Sequence, residues 1–271
     1  MIPLFSEAVQ VEPVGDGRYA AQLGKDWTIG PKAHGGLLMA LLAQAALNRL
    51  AADAPGAAPD PLVVAADFLR APDPGPVQLH TELLRAGRTA SVVAVRLWQD
   101  ERLMLTATVT AGRLPAEPPQ WTQLPELPAE PAGDALDPAL VDGISGVARS
   151  CELRWDPATV AFAGDGQGPP VVRGWARPRG EPTSLLFALL AGDVLPPTVF
   201  NLGGVRGWAP TVQLTALLRA HPAPGWLRLE SRATSVGGGW FDEDATVLDS
   251  TGRLICQARQ LALAARLPSP P

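Results

Sequence analysis

The sequence predicts an α+β fold of two tandem halves, each a buried helix followed by an antiparallel sheet. Three observations predict it. The first is an internal repeat. Leu69-Arg70-Ala71 recurs as Leu218-Arg219-Ala220, Pro74-Gly75 as Pro224-Gly225, and Arg102-Leu103 as Arg253-Leu254, at offsets of 149, 150 and 151 residues. Solenoid units recur every 20–50 residues or so, and this period is far longer, so it marks a duplicated domain. The second is one compact segment in each half that is apolar around its whole circumference. The third is a run of four strand-like segments, broken by turn residues, after each of those helices.

In the first half a weak strand is expected near Val9–Pro13, and Trp27 to Gly36 reads as a loop. Pro31 and Gly35-Gly36 mark where a helix can begin. Gly36–Leu50 is helical by length and composition. Leu37, Leu38, Met39, Leu41, Leu42, Ala45, Ala46 and Leu47 leave it no polar face, the signature of a buried helix. Ala51 to Pro61 is a Pro/Ala/Asp/Gly loop. Strands are predicted at Leu62–Leu69, Val77–Leu84, Ser91–Gln99 and Leu103–Ala111, separated by Pro72-Asp73-Pro74-Gly75, Gly87 and Asp100-Glu101. Val93, Val95 and Leu97 alternate with Ala94, Arg96 and Trp98, as in a half-buried strand.

Leu114 to about Asp142 holds seven prolines among several acidic residues. Proline removes backbone donors, so this stretch cannot be a central strand and reads as an extended strap. The second half repeats the plan. Short strands are expected at Cys151–Trp155 and Val171–Ala176, and a second apolar helix at Thr183–Leu195, stopped by Pro196-Pro197. Strands follow at Thr211–Leu218, Leu227–Ala233, Phe241–Leu248 and Leu254–Leu263, with turns at Pro222–Gly225, Gly237–Gly239 and Asp249–Gly252. A helix wrapped by a long antiparallel sheet is the hotdog architecture. Two in one chain, joined edge to edge so that each covers an edge strand of the other, make a double hotdog. The expected domains are an N-terminal hotdog over 1–113, a linker over 114–149 and a C-terminal hotdog over 150–271.

Composition narrows the partners. The 271-residue chain is 46% apolar and only 18% charged, with a net charge of −5, which argues against a nucleic-acid partner. The N-terminus lacks a basic stretch followed by a long apolar run, so a signal peptide is not expected. The longest apolar run, Leu37 to Leu47, is too short to span a bilayer and is interrupted by Gln44. Cys151 and Cys256 read as two buried free thiols in a reducing cytoplasm. His34, His80 and His221 are too dispersed for a zinc signature. There is no Gly-x-Ser-x-Gly elbow and no Gly-x-Gly-x-x-Gly loop in a strand–helix context.

Several segments resemble a known family. His34-Gly35-Gly36-Leu37-Leu38, Asp67-Phe68-Leu69-Arg70 and Leu84-Arg85-Ala86-Gly87-Arg88 resemble the N-terminal hotdog of TesB-like (type II) acyl-CoA thioesterases. Pro210-Thr211-Val212, Pro222–Leu227 and Ile255–Leu261 resemble the C-terminal hotdog, in particular its actinobacterial-type branch. The resemblance implies a thioesterase that cleaves acyl-CoA to free acid and CoA. In the family an Asp, a Thr and a Gln on the C-terminal sheet hold and activate the attacking water. Carried onto this chain, the Thr falls on Thr234, the Gln on Gln260 and the Asp on Gln213. An amide can position water but cannot accept its proton at neutral pH, so this departure implies slow or specialised hydrolysis.

The chemistry needs a held water, a proton acceptor and a stabilised oxyanion. Gln213, Thr234 and Gln260 are candidates to hold the water. The repeat offsets place them opposite Val64, Leu84 and Val109, so one half is polar where the other is apolar. The oxyanion is expected at the start of the first helix, near Gly35 and Gly36, with His34 as a donor or proton relay. The acyl chain would lie against Leu38 and Met39, and Arg85 and Arg88 would meet the CoA phosphates. No metal or bound cofactor is called for; coenzyme A enters only as part of the substrate. The partners expected are a small acyl-CoA and a second copy of the chain in a homo-oligomer, a dimer, with no nucleic acid and no membrane. Two other classes stay open: a non-catalytic acyl-CoA-binding module, favoured by Gln213, and a hotdog hydratase or dehydratase.

Overall fold

The computed structural model describes residues 4–140, 146–164, 166–203 and 207–264. The first half opens with α1 (Phe5–Ala8), β1 (Glu12–Gly15), β2 (Arg18–Leu23) and a small hairpin, β3 (Thr28–Ile29) and β4 (Lys32–Ala33). Then come α2 (Gly35–Asp53), β5 (Asp60–Phe68), β6 (Gly75–Arg85), β7 (Ala90–Gln99) and β8 (Arg102–Gly112). The second half contains α3 (Gly146–Ser150), β9 (Cys151–Trp155), β10 (Val171–Pro178) and α4 (Leu185–Ala191). It ends with β11 (Thr211–Leu218), β12 (Leu227–Arg232), β13 (Val236–Gly237), β14 (Trp240–Leu248) and β15 (Leu254–Leu263). The sequence reading missed β2, the β3–β4 hairpin and β13. It also set the first strand too early, because Val9 packs into the core just after α1.

Among the described residues the strands form one 13-stranded sheet in the order β1-β2-β6-β7-β8-β5-β11-β15-β14-β12-β10-β9, with β13 on β14, apart from the β3–β4 pair. The order is a mirror about the β5–β11 seam: β8 and β15, β7 and β14, β6 and β12, and β2 and β10 occupy matching places. β5 and β11 pair antiparallel from Asp67–Gln213 to Val63–Leu217, so each half covers the other's open edge.

α2 is buried nearly all round, as its composition requires. By length and hydropathy it is apolar enough to cross a membrane, but here it packs against β5–β8 and α4. α4 is shorter than the sequence suggests. Ser184 caps its start, its Oγ accepting from Phe187 N at 3.1 Å, and the helix stops at Ala191 rather than Leu195. Asp193 N donates to Leu190 O at 3.0 Å, a tight last turn, and Pro196-Pro197 forbids continuation. This early stop takes Asp193 out of the helix.

The proline-rich segment lies over the second half. Proline lacks a donor but keeps its carbonyl, and side chains beneath use the carbonyls of this segment. Arg253 Nη2 donates to Pro115 O at 2.9 Å, Arg228 Nη1 to Leu127 O at 2.9 Å, and Trp175 Nε1 to Pro128 O at 2.9 Å. Cys151 and Cys256 are free and buried, and burial pushes both thiols up to about 12.

Candidate functional site

Strand alternation decides which polar side chains meet. On β14, Phe241, Glu243, Ala245 and Val247 face the core, while Asp242 and Asp244 face outward. On β15, Gln260 lies on the same inner face as Ala258 and Cys256, and it pairs across the ladder with Glu243. On β11, Leu214 and Ala216 face inward, so plain alternation would turn Thr211 outward. A bulge between Thr211 and Gln213 reverses this. Thr211 pairs with inward-facing Ala262, and its hydroxyl donates to Gln260 Oε1 at 2.6 Å. Gln260 Nε2 donates to Glu243 Oε2 at 2.7 Å, and Glu243 Oε1 accepts from Thr198 N at 2.8 Å.

Asp193 enters this cluster from the end of α4. A Cβ on Gly35 would lie 2.6 Å from Asp193 Oδ2, and one on Gly36 would lie 3.2 Å from Asp193 Cβ. The carboxylate therefore rests against the first turn of α2, in space that any side chain at 35 would occupy. Burial pushes the Asp193 carboxyl up to about 7, with the nearby Glu243 charge adding to the rise. The Gly36 N–H and the Gln260 amide oppose it by favouring the ionised form. Glu243 is also raised, again by burial, against the donors Thr198 and Gln260. Two inward carboxyl groups thus share one amide, and one of them titrates near neutrality.

His34 is the N-cap of α2. Its Nδ1 accepts from Gly36 N at 3.1 Å, and burial lowers its pKa to about 4. The ring is neutral at pH 7 with its proton on Nε2, because Nδ1 is the acceptor. It holds the helix start rather than relaying a proton. Gly36 N–H is therefore already engaged, whereas Gly35 N–H, at the first helical position, has no intrahelical partner.

The other expected site residues lie elsewhere. Gln213 follows the plain alternation set by Leu214 and Ala216 and faces outward, and its Nε2 donates to Thr215 Oγ1 at 2.8 Å. Thr234 is exposed beyond the end of β12, and its N–H donates at 3.1 Å to Oδ1 of Asp242, which faces away from Gln260. Neither joins the cluster; Gln260 does. Leu38 and Met39 are fully buried in the core. Arg85 and Arg88 are exposed at the far end of the sheet. Phe68, which comes within 3.6 Å of the Gly35 Cβ position, shares its sheet level with Leu105, Leu97 and Leu79. Arg85 lies six residues further along β6 than Leu79, a displacement of about 20 Å along the strand.

Asp193, Thr211 and Glu243 are the residues the sequence reading missed. Two of them left a trace. Glu243 falls in an acidic triplet, yet Phe241, Ala245 and Val247 mark its register as inward. Asp193 is the lone charge after the apolar run of α4. The bulge that inverts Thr211 leaves no mark in the residue pattern. Among the described residues, no group of three or more His, Cys, Asp or Glu is arranged to hold a metal ion.

Comparison with known proteins agrees with the two-half architecture. Residues 23–112 match the acyl-CoA thioesterase N-terminal domain, and residues 115–264 match the acyl-CoA thioesterase C-terminal domain. An uncharacterized protein of Mycobacterium tuberculosis is 39% identical over 295 aligned positions, covering 97% of this chain and 99% of that one. The crystal structure of a candidate thioesterase II from Thermobifida fusca superposes with a TM-score of 0.86 at 33% identity, covering 98% of this chain and 100% of that one. The acyl-CoA thioesterase II TesB2 of Mycobacterium marinum shares the fold at 15% identity, with a TM-score of 0.73 and coverage of 98% and 99%. With both domain models matched in tandem over a mirrored sheet, the chain belongs to the acyl-CoA thioesterase family and is a TesB-like double hotdog.

Proposed function

We propose that the chain hydrolyses acyl-CoA thioesters at a single site made of Asp193, Thr211 and Gln260 beside the N-terminus of α2. The observation that carries this reading is the Asp193 carboxylate packed against the first turn of α2, its Oδ2 2.6 Å from where a Cβ on Gly35 would lie, with burial pushing its pKa up to about 7. A general base works best when its pKa lies near the working pH, and such a base typically contributes roughly 10²–10⁴-fold. A water donating one hydrogen to Asp193 and the other to Thr211 Oγ keeps a lone pair free for the thioester carbonyl.

As that oxygen bonds to the carbonyl carbon, its proton passes to Asp193 and the carbonyl electron pair moves to oxygen. The resulting oxyanion meets the positive end of α2, where Gly35 N–H is the donor without an intrahelical partner. Collapse re-forms the carbonyl, breaks the C–S bond and returns the proton from Asp193 to the leaving thiolate. The products are the free acid and the CoA thiol. The Thermobifida relative described as a candidate thioesterase II supports the same class of reaction.

Asp193 also removes the main support for a purely binding role, which rested on the absence of a carboxylate at Gln213. The hydratase reading lacks its paired groups, since His34 Nδ1 is committed to Gly36 N–H. The test is free-thiol release from acyl-CoAs of graded chain length by the native protein and Asp193→Asn, with an enoyl-CoA arm followed by absorbance. Turnover in the native protein that collapses in the variant supports the proposal. No thiol release from any acyl-CoA, or full activity in Asp193→Asn, overturns it.

A further inference from the structure

We propose that Glu243 is a positioning residue of this site: its carboxylate fixes the orientation of the Gln260 side-chain amide and, through it, the direction of the Thr211 hydroxyl. The inference rests on the reading of Asp193, Thr211 and Gln260 given above.

Glu243 is 5% exposed, yet no ion pair reaches it among the described residues. Glu230, equally buried on β12, is held by Arg173 at 2.7 Å and Arg232 at 3.0 Å. A buried carboxylate with no cation is costly, and at this position the fold does not need one. In the first half the matching ladder pair is Val93 and Val109, both buried. In the second half the same rung is Glu243 and Gln260. One copy of the duplicated architecture thus packs this rung with hydrocarbon, and the other keeps a carboxylate and an amide.

What the carboxylate does follows from its partners. Thr198 N–H donates to one oxygen, leaving the other to accept from Gln260 Nε2. A side-chain amide can be turned over by rotating its terminal bond, which exchanges its oxygen and nitrogen. Turned over, Gln260 would set its carbonyl oxygen against the Glu243 carboxylate, lone pair to lone pair. Glu243 therefore selects the orientation in which Gln260 Oε1 faces Thr211. That oxygen takes the only hydrogen of the Thr211 hydroxyl, at 2.6 Å. Thr211 Oγ is left with lone pairs alone, so it accepts from a water and cannot donate to one. A water so held must aim its own lone pair elsewhere, at the carbonyl carbon. Remove Glu243, and Asp193 alone is left to hold the Gln260 amide, so the turned-over amide and the reversed hydroxyl direction become easier to reach.

Two variants test this. Glu243→Gln keeps the shape but spends its one oxygen on Thr198 N–H and so turns its nitrogen to Gln260, and Glu243→Val installs the residue found at the matching rung. Both are expected to lower kcat about tenfold while leaving KM within about twofold. The melting temperature of Glu243→Gln is expected to stay level or rise, since its amide oxygen still accepts from Thr198 N–H and the buried charge is gone. In a Gln260→Ala background, Glu243→Val should cost nothing further in kcat, because its effect runs through the missing amide. A role in packing alone would lower the melting temperature and leave kcat unmoved. The proposal is overturned if native and Asp193→Asn proteins behave as above but both Glu243 variants retain full kcat, or if the Glu243 and Gln260 losses multiply. An inactive native protein or an active Asp193→Asn overturns the hydrolase reading instead.

Discussion

The backbones of Gly36 and Leu190 touch: a Cβ on Gly36 would lie 2.8 Å from both the Leu190 Cα and its carbonyl oxygen. This contact brings the start of α2 onto the end of α4, and Asp193 follows Leu190 by three residues. Gly36→Ala must therefore push the helices apart. Overpacking of this kind costs about 1–3 kcal/mol. The expected result is a lower midpoint in denaturant unfolding, with a larger fractional loss of thiol release than of folded protein, because the base moves with the helix end.

Asp193→Asn should reduce kcat/KM by about 10²–10⁴-fold without loss of fold. The pH profile carries a second expectation. If the ionised form of Asp193 is the base, native kcat/KM should climb with pH and level off above about 7, and the residual activity of Asp193→Asn should lack that limb. Stability runs the other way. The folded-state pKa of about 7 lies above the ordinary 3.8, so between these values the folded state binds more protons than the unfolded one. The contribution to folding is complete below 3.8 and is lost as pH rises through 7. Relative to native protein, Asp193→Asn should therefore gain melting temperature as pH is raised from about 4 to 8.

His34 gives the opposite slope. Its pKa is lowered from 6.5 to about 4, so over that window the unfolded chain binds more protons. The stabilisation it provides is complete above 6.5 and is lost as pH falls toward 4. His34→Asn keeps a capping acceptor and removes the titration, so its melting temperature should hold better than native on acidification. His34→Ala loses the cap, at a cost of about 1 kcal/mol at neutral pH. Melting curves across that range distinguish the three proteins.

A four-way comparison separates the residues in the cluster from those outside it. Thr211→Val and Gln260→Ala should each cut kcat by about tenfold or more. Gln213→Asp and Thr234→Ala should leave thiol release unchanged, since Gln213 faces outward and Thr234 is exposed beyond the end of β12. A gain in Gln213→Asp would place the base at 213 and count against Asp193.

This comparison also shows how far the residue pattern reaches. Helices and strands came through where burial is one-sided or complete, as in α2, β7, β11 and β15, because hydrophobic period and backbone period coincide there. Of the proposed site, the sequence offered the glycines that open α2 and Gln260, an amide between Ala258 and Ala262 on its face of β15. Asp193 was hidden because apolar residues on both sides extended the apparent helix from Ala191 to Leu195. Thr211 was hidden because one extra residue in β11 inverts its side. Glu243 was legible in principle by counting twos from Phe241, but two flanking aspartates made the triplet look like a solvated edge. Each miss is a place where a single turn or bulge decides the geometry, and such features answer to contacts from across the molecule.

The seam between β5 and β11 has one more consequence. The helix start comes from one half and the hydrogen-bonding strands from the other, yet both halves are segments of a single polymer. Their meeting is an intramolecular event whose effective concentration is set by the tether, not by how much protein is in the tube. In a version built from two separate chains that meeting would depend on concentration; here the pairing of the two halves is unchanged however thinly the protein is spread.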